Sequence, residues 1–113
     1  MSRIAVFAAA LALLVILPGS AQAATCKPPK YPGSGYFTSL KATKVSCSEA
    51  GKVALAFHKC RTKRSDTGRC SVRTSVRKFK CRETRTTIST EINGRVKCTR
   101  GSRRVELTYQ HNT

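Results

Sequence analysis

Lys78-Phe79-Lys80-Cys81-Arg82, Arg95-Val96-Lys97-Cys98 and Arg104-Val105-Glu106-Leu107-Thr108-Tyr109 alternate a charged or polar residue with an apolar one at every step. A period of two is the mark of strands with one face buried and the other in water. Phe79, Cys81, Val96, Cys98, Val105 and Leu107 then share an inner face, and Lys78, Lys80, Arg82, Arg95, Lys97 and Arg104 share the outer one. Asn93-Gly94 and Arg100-Gly101 read as the turns between the strands. A two-residue turn at Asn93-Gly94 sets Ile92 opposite Arg95. Ile92 and Val96 then face different sides unless a bulge or a longer loop intervenes.

Upstream the period is that of a helix. Ser46 followed by Glu49 forms a capping box, each side chain satisfying the other's backbone N–H. Cys47, Ala50, Val53, Ala54, Phe57 and Arg61 then fall on one mainly apolar stripe, with Ser48, Lys52 and Lys59 on the other side. The helix is expected over residues 46–60, although Gly51 costs it about 1 kcal/mol relative to alanine. Before it, residues 26–35 are punctuated by proline and glycine and read as an extended arm, with a short strand over Tyr36–Ala42. After it, Ser65-Asp66-Thr67-Gly68 reads as a loop. The fold predicted is therefore α+β, one N-terminal helix packed on a three- to four-stranded antiparallel sheet, stapled by disulfides.

The first residues belong to export and not to this domain. Met1-Ser2-Arg3 is a positive start, Ile4–Leu17 is an apolar run of 14 residues, and Ala21-Gln22-Ala23 is a small-x-small cleavage pattern. A run of that length falls short of the roughly 20 residues that span a bilayer. Residues 1–23 are thus expected to be a removed signal peptide, 24–45 a Pro/Gly-rich arm and 46–113 a helix-plus-sheet body, with 24–113 one domain. The protein is expected to be secreted and extracellular.

Cys26, Cys47, Cys60, Cys70, Cys81 and Cys98 contain no Cys-x-x-Cys pair. In an exported chain an even count reads as a disulfide framework, not a metal site, and no metal or cofactor is expected. Cys47 on the apolar stripe suggests a helix-to-sheet bridge to Cys81 or Cys98. Cys60, about 140° around the helix from Cys47, suits the loop or the arm.

Charge narrows the partners. The chain holds 22 Lys and Arg against 5 Asp and Glu, and one of those cations, Arg3, leaves with the signal peptide. Six outward cations on one open face are the footprint of an anion binder. Nucleic acid, an anionic envelope polymer and anionic lipid headgroups all suit it, and so does an acidic protein target engaged by an inhibitor or effector. A monomer is expected. Catalytic signals are sparse. Thr99–Val105 looks locally like the basic strand of guanyl-type microbial ribonucleases, and there Glu83 or Glu91 would serve as base and His111 as acid. His111 is the third residue from the end, where fraying is expected.

Ser46-Cys47-Ser48-Glu49-Ala50, Val53-Ala54, Lys78-Phe79-Lys80-Cys81, Val96-Lys97-Cys98-Thr99-Arg100-Gly101 and the closing Val105, Leu107 and Tyr109 resemble a recurrent type of small secreted cysteine-rich actinobacterial protein, from about Lys44 to Tyr109. The resemblance implies a helix on an antiparallel sheet and no particular activity. Cys26 and Cys60 lie outside its pattern, so it implies no pairing.

Overall fold

The computed structural model describes residues 22–113; the expected signal peptide lies outside them except for its last two positions. The chain forms β1 (Ala24–Thr25), β2 (Gly35–Thr43), α1 (Cys47–Arg61), β3 (Ser75–Val76), β4 (Phe79–Ile88), β5 (Glu91–Arg100) and β6 (Arg103–Asn112). All strands join one antiparallel sheet in the order β1-β2-β6-β5-β4-β3. The architecture is mainly β, a six-stranded sheet with a single short helix. The expected α+β arrangement of a helix on three or four strands is therefore incorrect.

The two added strands, β1 and β3, come from segments with little periodic signal. β1 and β3 are two residues each. In β2 the register shifts between Phe37 and Ser39, which lets Phe37, Leu40 and Ala42 all turn toward the core. A bulge of this kind breaks the period of two, and the short strand expected over Tyr36–Ala42 is a nine-residue strand that pairs along most of β6.

The Asn93-Gly94 turn is also overturned. That dipeptide lies inside β5, and the β4–β5 connection is Ser89-Thr90, with Ile88 paired to Glu91. Ile92, Gly94, Val96 and Cys98 consequently share the buried face. Gly94 sits opposite Tyr109, and a Cβ there would run into the Tyr109 ring. Here the glycine makes room for an aromatic ring; it does not turn the chain. Arg100-Gly101 does mark a turn, with Gly101 at φ 59° between β5 and β6.

The helix forms as its sequence dictates. Ser46 caps it, its Oγ accepting from the Glu49 N–H at 3.1 Å. Glu49 does not complete the box. Its carboxylate instead takes two bonds from the Arg77 guanidinium, each 3.0 Å, which ties the helix start to the β3–β4 turn. Ala50, Val53, Ala54 and Phe57 are buried with Leu40, Phe79, Val96, Val105 and Leu107 in one core.

Three disulfides close the frame: Cys26–Cys47, Cys60–Cys70 and Cys81–Cys98. Cys60 serves the loop as expected. Cys47 does not reach the sheet; it holds the arm to the first turn of α1, and the two sheet cysteines, directly opposed in register, bond each other. Each closed loop restricts the unfolded chain by about 3 kcal/mol. Three such bridges are in keeping with an oxidising compartment.

Gly94→Ala should lower stability by about 1–3 kcal/mol, the cost of overpacking a filled core. Urea denaturation of the oxidised protein checks this; an unchanged midpoint would mean that Tyr109 does not fill the glycine's place.

Candidate functional sites on the two faces of the sheet

The outer face of β2, β6, β5 and β4 carries cations in adjacent cross-strand rows. Lys41, Glu106, Lys97 and Arg82 form one row; Ser39, Thr108, Arg95 and Thr84 the next; Thr43, Arg104, Thr99 and Lys80 a third. Neighbours within a row lie about 5 Å apart, and successive rows about 7 Å. A shallow depression of about 560 Å³ lies over this area, lined among others by Lys41, Arg82, Arg95, Lys97, Thr84 and Thr108.

Five of the six sequence-derived cations, Lys80, Arg82, Arg95, Lys97 and Arg104, are on this face. Lys78 is not. Arg77 and Lys78 form the two-residue β3–β4 turn, with φ of 49° and 69°, the conformation such hairpins need. Lys78 therefore joins Arg77, Arg100 and Glu49 around a separate small depression. Lys41 takes its place on the main face, brought there by the pairing of β2 with β6, which the expected strand over Tyr36–Ala42 did not specify.

Glu106 is the acid in the field. It forms ion pairs with Lys97 at 4.0 Å and Arg104 at 3.6 Å, all three side chains partly exposed. Among the described residues no carboxylate pairs with Lys41, Lys80, Arg82 or Arg95.

The helix side of the sheet holds a second cluster. Arg61, 1% exposed, donates from Nη1 to the Asp66 carbonyl at 2.6 Å and from Nη2 to the Tyr31 hydroxyl at 2.8 Å. Its guanidinium carbon lies 4.6 Å from the centre of the Tyr109 ring, within cation–π range. The Tyr31 oxygen lies 3.0 Å from His111 Nδ1. Because Arg61 can only donate, the Tyr31 proton is free to go to His111, which makes Nδ1 the acceptor. The Tyr109 hydroxyl donates to Glu83 Oε1, and Arg85 Nε donates to Glu83 Oε2 at 2.9 Å. Arg85 also donates to the Thr67 and Gly68 carbonyls.

This environment sets protonation. Burial, seconded by the Arg61 charge, lowers the pKa of both His58 and His111 below the usual 6.5. Burial raises Tyr31 and Tyr109 above the usual phenol range, and the bond to Glu83 raises Tyr109 further.

The comparisons with known proteins supply no relative. No family model, no curated protein and no solved structure matches the chain.

The ribonuclease-like arrangement is not assembled. His111 stays inside β6 instead of fraying, and it is 5% exposed. Thr99–Val105 lies at the opposite end of the β5–β6 hairpin, eight residues or about 27 Å from His111 to Arg103 along β6. Glu83 is committed to Arg85 and Tyr109. The guanidiniums nearest Glu83 and His111, those of Arg61 and Arg85, are taken by the carbonyls of Asp66, Thr67 and Gly68. Sequence reading could have found part of this cluster. Arg61 stands on an otherwise apolar helix stripe, and His111 continues the inward series Val105, Leu107, Tyr109.

Two outcomes follow. A histidine with a lowered folded pKa binds protons less readily than its unfolded counterpart, so stability falls as pH drops through the unfolded value near 6.5 and levels off below the folded pKa. Between about pH 7 and pH 5 the melting temperature should therefore decrease, and His111→Asn should lessen the decrease; a flat profile would contradict buried, neutral imidazoles. Arg61→Lys should cost about 2 kcal/mol or more, because one ammonium cannot span the carbonyl, the hydroxyl and the ring; chemical denaturation measures it.

Proposed function

We propose that the protein is an extracellular, non-catalytic binder of anionic polymers or surfaces, acting through the outer face of its sheet. The observation that carries this reading is the block of six cations, Lys41, Lys80, Arg82, Arg95, Lys97 and Arg104, on one uncovered face, four of them without a carboxylate partner among the described residues. Spaced by about 5 Å and 7 Å, they suit a chain carrying charge at short intervals better than a single small anion.

A solvated edge-protecting face would also use lysine and arginine. The four central positions here are on paired strands, however, where no open edge needs protection. Arg82 and Lys80 alone lie on β4, whose edge is covered by β3 only at Phe79 and Lys80. Glu106 spaces the charges and lessens their mutual repulsion without cancelling them. Of the aromatics on the described residues, Tyr36 is the one that stands well exposed, at 65%. Base stacking needs more than one platform, so recognition by charge density is favoured over reading of sequence.

Binding of the oxidised protein to labelled single-stranded RNA should weaken steeply with salt, since counterion release drives it. Arg82→Gln, Arg95→Gln and Lys97→Gln together should lower affinity at least about tenfold at low salt and make the log–log salt slope shallower by about 2. A slope unchanged by these substitutions would overturn the assignment. Weak salt dependence combined with selection among protein targets would favour an acidic protein partner instead.

A further inference from the structure

A loop runs from Thr62 to Thr74 between α1 and β3. Cys60–Cys70 closes it into a ring. Three consecutive carbonyls, those of Asp66, Thr67 and Gly68, are drawn inward by Arg61 and Arg85. Arg61 is buried and the Arg85 side chain is 7% exposed, so the guanidiniums are held in place while the loop carbonyls they bind lie nearer the surface. Gly68 completes the turn, its N–H donating to the Ser65 carbonyl at 3.0 Å, and a Cβ at Gly68 would strike the Arg61 carbonyl.

The result is a loop whose negative dipole ends point inward and whose cations stand outward. Lys63, Arg64 and Arg69 surround a depression of about 570 Å³, with the hydroxyls of Ser65, Ser71 and Thr74 on its wall. Glu83 reaches Arg69 only at 3.8 Å, and among the described residues Lys63 and Arg64 have no acidic partner. The helix C-terminus nearby would repel an anion through its free carbonyls. Thr62 offsets this in part, since its N–H and its Oγ1 both donate to the His58 carbonyl.

We propose that this loop is a second anion-binding site, for phosphate, sulfate or carboxylate groups, and that the protein uses its two sites to bridge separate polyanion chains. The proposal rests on the reading of the outer face given above. In β4, Arg85 points to the helix side while Thr84 and Thr86 point outward, so the loop that Arg85 holds and the cationic face lie on opposite sides of the sheet. A layer about 10 Å thick separates them. One straight run of polymer cannot lie on both. A tethered loop also loses little conformational freedom on binding, which favours a site over a merely solvated basic turn.

The test uses the oxidised protein with heparin of high molecular weight and with a short heparin oligosaccharide. Bridging is read by light scattering and affinity by calorimetry. The wild type should form scattering assemblies with the long polymer near charge balance. Lys63→Gln, Arg64→Gln and Arg69→Gln together should abolish scattering, while affinity for the short oligosaccharide stays within about threefold, as the outer face is intact. The Arg82, Arg95 and Lys97 substitutions should reduce both affinity and scattering. Scattering by the loop variant equal to that of the wild type would overturn the proposal. So would a wild type that binds the polymer without assembling, and in that case the outer-face reading would stand. A wild type that fails to bind heparin and RNA alike at low salt would remove both.

Discussion

The buried guanidinium of Arg61 is the constraint around which the molecule is organised. It sits at the end of the only helix among the described residues, and it touches the N-terminal arm through Tyr31, the loop through the Asp66 carbonyl and β6 through the face of Tyr109. A charge removed from water costs several kcal/mol unless its donors and its field are satisfied. Among the described residues no carboxylate meets this one directly. A carbonyl, a hydroxyl and a π face do so, and Glu83 follows one step behind through the Tyr109 hydroxyl. Elements far apart in sequence are thus held by one planar group, which a point charge such as lysine could not replace.

That arrangement governs the titratable groups around it. Glu83 is shared by Arg85 and Tyr109. Burial first and the charge of Arg61 second lower the pKa of His58 and His111, and His111 can accept from Tyr31 only when neutral. The same interactions turn the loop carbonyls inward, which leaves Lys63, Arg64 and Arg69 facing solvent. An internal electrostatic solution therefore shapes an external surface.

Strong positive charge opposes a compact state, and the frame answers it with covalent closure. Cys26–Cys47 and Cys60–Cys70 secure the two ends of α1 to the arm and the loop, while Cys81–Cys98 joins β4 to β5 beneath the cationic face. With the unfolded chain restricted in this way, cations can accumulate on an uncovered sheet. The proposed binding of polyanions would relieve the remaining repulsion on the outer face.

Local order was legible in the sequence because it depends on spacing alone. Ser46 caps the helix, the inward sets of three strands are as their alternation implies, and five of six outward cations share a face. What failed depended on partners distant along the chain. Asn93-Gly94 is a turn signal in isolation and a space for Tyr109 once β5 and β6 pair. The strand expected over Tyr36–Ala42 is there, but the bulge at Thr38 breaks its period, and its pairing with β6, which brings Lys41 onto the cationic face, was not legible. Lys78 belongs to a turn because β3, only two residues long, pairs back on β4. The count of cysteines, the charge and the period of two were determined by the sequence itself. Which cysteines meet, what shelters Arg61 and why His111 is buried were decided only in three dimensions, because contacts such as Tyr31 to His111, 80 residues apart, leave no mark in any local pattern.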